Sequence, residues 1–291
     1  MGVSCTLATH SVELPMSKQL LLGLGIGANV YDHAQSRVRI MEARLISNHA
    51  LYQQARSDLG RWMPSDEMQL ASLRRRLEDR SISPLQRYEL GSFLWCKSLV
   101  QVLTRLKKIR AMMTRSIYKK KGEEKGKLLK DWMSYNYQLY SVVYQSVLEV
   151  ALLLTNEVLD LGYSDRQCGY GTICDNRRVK AANILPPLRE LHRTTLVHRQ
   201  GKNLLVHQGK SIPLPKSAKL TASVDFSALA QELGTGESEL KAILDEFLTL
   251  SSRKKLLVQM EKECREVEAR VVQLLDRLSP QYTRVHSYYE Q

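Results

Sequence analysis

From Pro84 to Leu161 the sequence carries apolar residues at three- and four-residue steps on both sides of one charged, glycine-punctuated stretch, Lys119-Lys120-Lys121-Gly122-Glu123-Glu124-Lys125-Gly126-Lys127. Before that stretch Leu90, Phe93, Leu94, Leu99, Val102, Leu103, Leu106 and Ile109 step toward Tyr118, and after it the pattern runs from about Leu128 to Leu161. That period is the signature of an amphipathic helix with one buried face. Two helices of this length joined by a short polar turn fold back on each other, so the expected class is all-α, an antiparallel helical bundle. Ser83-Pro84 marks the start of the first, because proline tolerates the first helical position.

The flanking sequence extends the pattern. Val38, Met41, Leu45, His49 and Tyr52 predict a helix from about Ala34 to Trp62-Met63-Pro64, and Pro64 to Glu67 open a second that reaches Arg80. Turn formers crowd 162–175. Helix resumes at Asn176, and Pro186-Pro187 open a short helix that runs through Arg199 and stops at Gly201. Leu204 to Val206 and Ile212 to Leu214 predict a small β-hairpin, which Pro213 confines to an edge. Helices follow at about 226–234, 237–250 and 252–278. The expected organisation is an N-terminal segment (1–33), a helical bundle (34–203), and a hairpin, linker and C-terminal helical extension (204–291). Tyr282, His286, Tyr288 and Tyr289 read as a terminus that frays.

Composition excludes several classes. The chain has 291 residues, 43% apolar and 25% charged, enough to bury a core as one large or two small domains. Its five cysteines, at 5, 96, 168, 174 and 264, match neither a disulfide framework nor a zinc knuckle, and a reducing, cytoplasmic setting is expected. The apolar run Leu139 to Leu161 contains Gln145, Ser146, Glu149, Asn156 and Glu157, so it reads as a core helix and no membrane is called for. Gly23-x-Gly25-x-Gly27 lacks the spacing and the strand context of a dinucleotide loop, and no cofactor or metal is expected.

The formal charge is +13, from 43 Lys and Arg against 30 Asp and Glu. It is unevenly placed: 13 basic residues lie between Pro84 and Lys130 against Glu89, Glu123 and Glu124, whereas the last 67 residues are net acidic. A localised positive field favours a polyanion such as nucleic acid or an acidic membrane. Residues 228–244 resemble a helix-turn-helix, but Glu237, Glu239, Asp245 and Glu246 on its second helix would repel phosphates.

The most specific local signal is Arg193-Thr194-Thr195-Leu196-Val197-His198-Arg199. An imidazole transfers protons near neutral pH and a guanidinium stabilises charge on phosphate. Together they suit metal-independent cleavage of RNA, with the 2′-hydroxyl as nucleophile. Five residues at 100° each place Arg193 and His198 about 140° apart around a helix, so a site is expected to need a second surface, such as another copy across a two-fold axis. His198 also continues the stripe Ile184, Leu188, Leu191, Thr195, where a histidine is more often a packed core residue than a catalyst.

The segment Leu188-Arg-Glu-Leu-His-Arg193-Thr-Thr-Leu-Val-His198-Arg-Gln-Gly201, after a long apolar helix and a broken loop, resembles the R-x4-6-H signature of HEPN domains. The resemblance implies a HEPN-like bundle, usually dimeric, and a metal-independent endoribonuclease of toxin–antitoxin or anti-phage defence systems. Arg193 and His198 would be the catalytic pair, a homodimer the working form, and an antitoxin or regulatory protein a further partner. Many active members carry Asn, Asp or His directly after the arginine, where this chain has Thr194. RNA would be steered by Arg189, Arg199, Lys202, Lys107, Lys108, Arg110, Lys119, Lys120 and Lys121. The alternative is a non-catalytic helical module that binds nucleic acid or protein.

Overall fold

The computed structural model describes residues 43–114, 123–199 and 237–291, all within the unit Met41–Gln291, and among them the regular structure is helical with no strand. The expected glycine run at 23–27, the hairpin, and Lys119, Lys120, Lys121 and Lys202 lie outside the described residues.

The first expected helix is two: α1 (Arg44–Ser47) and α2 (Ala50–Leu59). His49, which the apolar spacing places inside one helix, is the N-cap of α2, its Nδ1 accepting from the Leu51 amide at 3.1 Å. A side chain that satisfies an orphan amide at a helix start ends the preceding helix there. α3 spans Leu70–Leu77.

α4 (Pro84–Thr114) starts at a reciprocal cap: the Gln86 amide donates to Ser83 Oγ and the Ser83 amide to Gln86 Oε1. α5 (Glu123–Val158) is joined to it by eight residues. Eight residues reach at most about 28 Å, while a 31-residue helix is about 46 Å long, so α5 runs antiparallel to α4. At the end of α5 the chain reverses through Asp160 and Gly162, both at positive φ, and Arg178 Nη1 donates to the Leu159 and Asp160 carbonyls. A short 3-10 turn (Asp165–Gln167), α6 (Tyr170–Asp175) and α7 (Arg177–Ala181) lead into α8 (Leu185–Leu196). On α8 the expected stripe is buried: Leu188, Leu191 and Thr195, preceded by Ile184.

The C-terminal part differs most from expectation. Residues 237–290 form a single helix, α9 (Glu237–Glu290), which passes through Pro280 and belongs to the bundle core. Leu256, Met260, Cys264, Val267, Val271, Leu274, Leu278 and Tyr282, at steps of three and four, are buried against α4, α5 and α8. The second helix of the helix-turn-helix reading is thus the start of this long rod. The terminal tyrosine and histidine are anchored too: the Tyr282 hydroxyl donates to Asp58 Oδ2 at 2.9 Å, and His286 Nε2 lies 2.8 Å from Glu89 Oε1. α5 is long and apolar enough by length and composition to cross a membrane, and 56% of its most apolar stretch is buried within the bundle.

Candidate active site

α5 presents Tyr137, Tyr140, Ser141 and Tyr144 on one face, at the three- and four-residue steps that align side chains along a helix. α9 crosses this face, and the Tyr144 hydroxyl donates to the Glu263 carbonyl at 3.2 Å. Burial raises the pKa of all three tyrosines, and the Glu263 carboxylate adds to the shift, so they remain neutral phenols.

His198 enters this frame from the end of α8. The helix closes at Leu196, Val197 and His198 form a turn, and the imidazole is 2% exposed. Its ring lies 4.6 Å from that of Tyr144 and meets Tyr140 edge-on at 5.4 Å. Nδ1 is 3.0 Å from Ser141 Oγ and Nε2 is 3.2 Å from Glu263 Oε2. Ser141 donates its single hydroxyl proton to the Tyr137 carbonyl at 3.0 Å, so it accepts from Nδ1–H. Nε2 then faces the carboxylate, and the pair is satisfied when one proton lies between them. Glu263 is also held by Gln259 Nε2, which donates to Oε1 at 2.8 Å, and its side chain is 15% exposed.

Arg193 is 72% exposed and bonds Glu190 Oε2 at 2.7 Å. It does not touch His198, yet both line one cleft of about 370 Å³. Thr194 and Val197 from the α8 end, Tyr144 from α5, and Gln259, Lys262, Glu263 and Glu266 from α9 complete the lining. The sequence geometry expected a second surface for this pair. α9 of the same chain supplies the facing wall of the cleft, with His198 continuing the buried stripe of Leu188, Leu191 and Thr195.

The steering residues divide. Lys107 Nζ is 2.9 Å from Glu268 Oε1, and Arg110 pairs with Glu261, so both are turned into α9. Lys108, Arg189 and Arg199 are exposed and have no ion-pair partner among the described residues. Ser141, Tyr144 and Glu263 were missed in the sequence. The three- and four-residue spacing of Tyr137, Tyr140 and Tyr144 is a signal that could have found this frame, but nothing local to Glu263 announces a contact 65 residues away. Among the described residues no three His, Cys, Asp or Glu side chains are grouped as metal ligands.

Set against family models, curated proteins and solved structures, the chain matches none.

Proposed function

We propose that this protein is a HEPN-type endoribonuclease that cleaves RNA without a metal ion and works in the cytoplasm, as a toxin or anti-phage effector. The observation that carries this reading is the shared cleft: an exposed guanidinium and an imidazole, five residues apart in sequence, open onto the same cavity with Lys262 beside them. In that cleft Arg193 and Lys262 would hold the phosphate and stabilise its charge as the 2′-oxygen attacks phosphorus. The His198–Glu263 pair would take the 2′-hydroxyl proton, and a proton would return to the 5′-oxygen as the phosphorus–oxygen bond breaks, leaving a 2′,3′-cyclic phosphate. Dimerisation draws support from apolar residues beside the cleft: Val197 is 70% exposed, Leu196 39%, and Val258, one turn before Lys262, 65%.

One observation favours the second reading, a non-catalytic helical module that binds nucleic acid or protein. His198 is almost fully buried with both ring nitrogens bonded inside the protein, as a packing residue would be. Purified protein incubated with labelled RNA in EDTA separates the two. Cleavage with cyclic-phosphate ends, absent from Arg193→Ala and His198→Ala proteins of unchanged helicity, is the expected outcome; intact RNA with every protein favours the binding module.

A further inference from the structure

The outer face of α8 carries Arg189, His192, Arg193 and Leu196, which fall within about 100° of one another around the helix, and Arg199 follows at its end. All are exposed except His192, which is partly so and stacks on Tyr170 of α6 with ring centroids 3.8 Å apart and planes inclined by 15°. Tyr170 is half-buried on α6, one turn before the buried Cys174. Arg189 lies close enough to act electrostatically on Tyr170, and Arg199 does the same to His192.

Packing against the core, which holds Tyr170, does not account for the whole of this face. The Tyr170–His192 stack joins α6 to α8, but nothing in that contact requires two arginines beside it, and a cation next to an imidazole disfavours the imidazole's charged form. Partial burial, with Arg199 adding to it, lowers the His192 pKa, so near neutral pH the ring is an uncharged π surface. Glu190, the acid on this helix, is taken up by Arg193 at 2.7 Å and Arg270 at 3.8 Å. What remains is an aromatic pair flanked by two cations with no ion-pair partner among the described residues, whereas Lys107 and Arg110 elsewhere in the bundle are paired. Aromatic faces between cations suit an unpaired base with its flanking phosphates, since every base has a π face and every linkage a negative charge.

We propose that Tyr170 and His192 form a base-stacking platform for single-stranded RNA, with Arg189 and Arg199 holding the phosphates on either side of the stacked base. The proposal deepens the reading of the protein as one that acts on RNA: Arg193 belongs to both this face and the cleft, so a strand bound here is led to His198. Duplex RNA is a poor occupant, because its bases are stacked inside the helix and cannot reach an external ring.

The test is fluorescence anisotropy of full-length protein with a labelled single-stranded oligoribonucleotide of mixed sequence, in EDTA, beside a duplex of the same length. The single strand should bind more tightly. Tyr170→Leu and His192→Ala should each weaken binding about tenfold. The double variant Arg189→Glu, Arg199→Glu changes only exposed side chains and keeps the test valid if an aromatic variant misfolds. It should weaken binding at least as much and reduce the slope of log affinity against log salt by about 0.7 per lost phosphate contact. Equal affinity for the duplex, or parental affinity in all three variants, overturns the platform. If RNA binds through these residues and is never cut, the platform stands and the nuclease reading falls. If RNA is cut while the variants bind as the parent does, the nuclease reading stands and the platform falls.

Discussion

Two histidines in this bundle are built alike and placed differently. His198 sits between the Glu263 carboxylate and the Ser141 hydroxyl, under three tyrosines, at the wall of an open cleft. His286, 7% exposed near the C-terminus of α9, lies 2.8 Å from Glu89, 3.8 Å from Asp58 and 3.6 Å from Glu290, with the Tyr282 ring beside it. Both its nitrogens face carboxylates, so the ring bridges three acids. Glu89 and Asp58 are in turn bonded by Trp62 Nε1 at 2.6 Å and by the Tyr282 hydroxyl. That centre ties α2, α4 and α9 together. The difference teaches that a buried histidine–carboxylate pair is not in itself a site. What sets His198 apart is the cleft beside it and an exposed guanidinium that lines the same cleft.

The widest contrast should be kinetic. In a comparison of RNA cleavage per folded molecule, His198→Ala should lose about 10²- to 10⁴-fold, the usual worth of a positioned acid–base group, while His286→Ala should stay within about twofold of the parent. Equal losses in both would mean that the two centres do the same structural job. Stability should show the reverse ranking. His286→Ala leaves Glu89 and Asp58 buried without the imidazole between them and should cost about 3 kcal/mol in urea unfolding, at the low end of the range for a broken buried pair because Trp62, Tyr282 and Arg61 still bond them.

The closed end should also carry a pH dependence. Glu157, on the last turn of α5, has its carboxyl pushed up to about 7 by burial, with Asp160 and Asp165 adding to the shift. It is packed so tightly on α4 that a Cβ at Gly91 would fall on its carboxylate. Because the folded-state pKa is raised, the folded protein holds this proton more tightly than the unfolded chain. Its contribution is therefore full below about pH 4.5 and is lost as pH rises through 7, by about 3 kcal/mol. Glu157→Gln should flatten that decline relative to the parent in urea titrations at successive pH values. A decline of the same size in the variant would place its source in another group.

The bundle was legible in the sequence where periodicity and caps act locally. Ser83-Pro84 marks the start of α4, and the stripe Ile184, Leu188, Leu191, Thr195 is the buried side of α8. The Arg193–His198 signal was legible too, because it lies within one turn and a half of helix. The supporting residues were not. Ser141 and Glu263 reach His198 from 57 and 65 residues away, and only tertiary packing brings them there. His49 was misplaced because an imidazole that caps and one that packs have the same helical spacing. The acidic charge of the C-terminal helices suggests packing elements, but nothing local shows that they join the bundle core; in the structure α9 lays Glu261, Glu263 and Glu268 against Arg110, His198 and Lys107. Charge asymmetry along this chain encodes helix pairing as well as any field toward a ligand.

That last point yields the smallest expected effect. Lys107 is 22% exposed and Glu268 8%, and both lie on the α4–α9 seam between the two histidine centres. Partial burial strengthens the attraction over that of a surface pair, and desolvation offsets much of the gain, so a double-mutant cycle on Lys107→Ala and Glu268→Ala should give a coupling of about 1 kcal/mol. Because Lys107 is committed to α9, Lys107→Ala should leave affinity for a single-stranded oligoribonucleotide and its salt slope unchanged. A drop in the slope, with little coupling in the cycle, would return this lysine to the proposed RNA-binding surface and extend that surface across the seam toward His286.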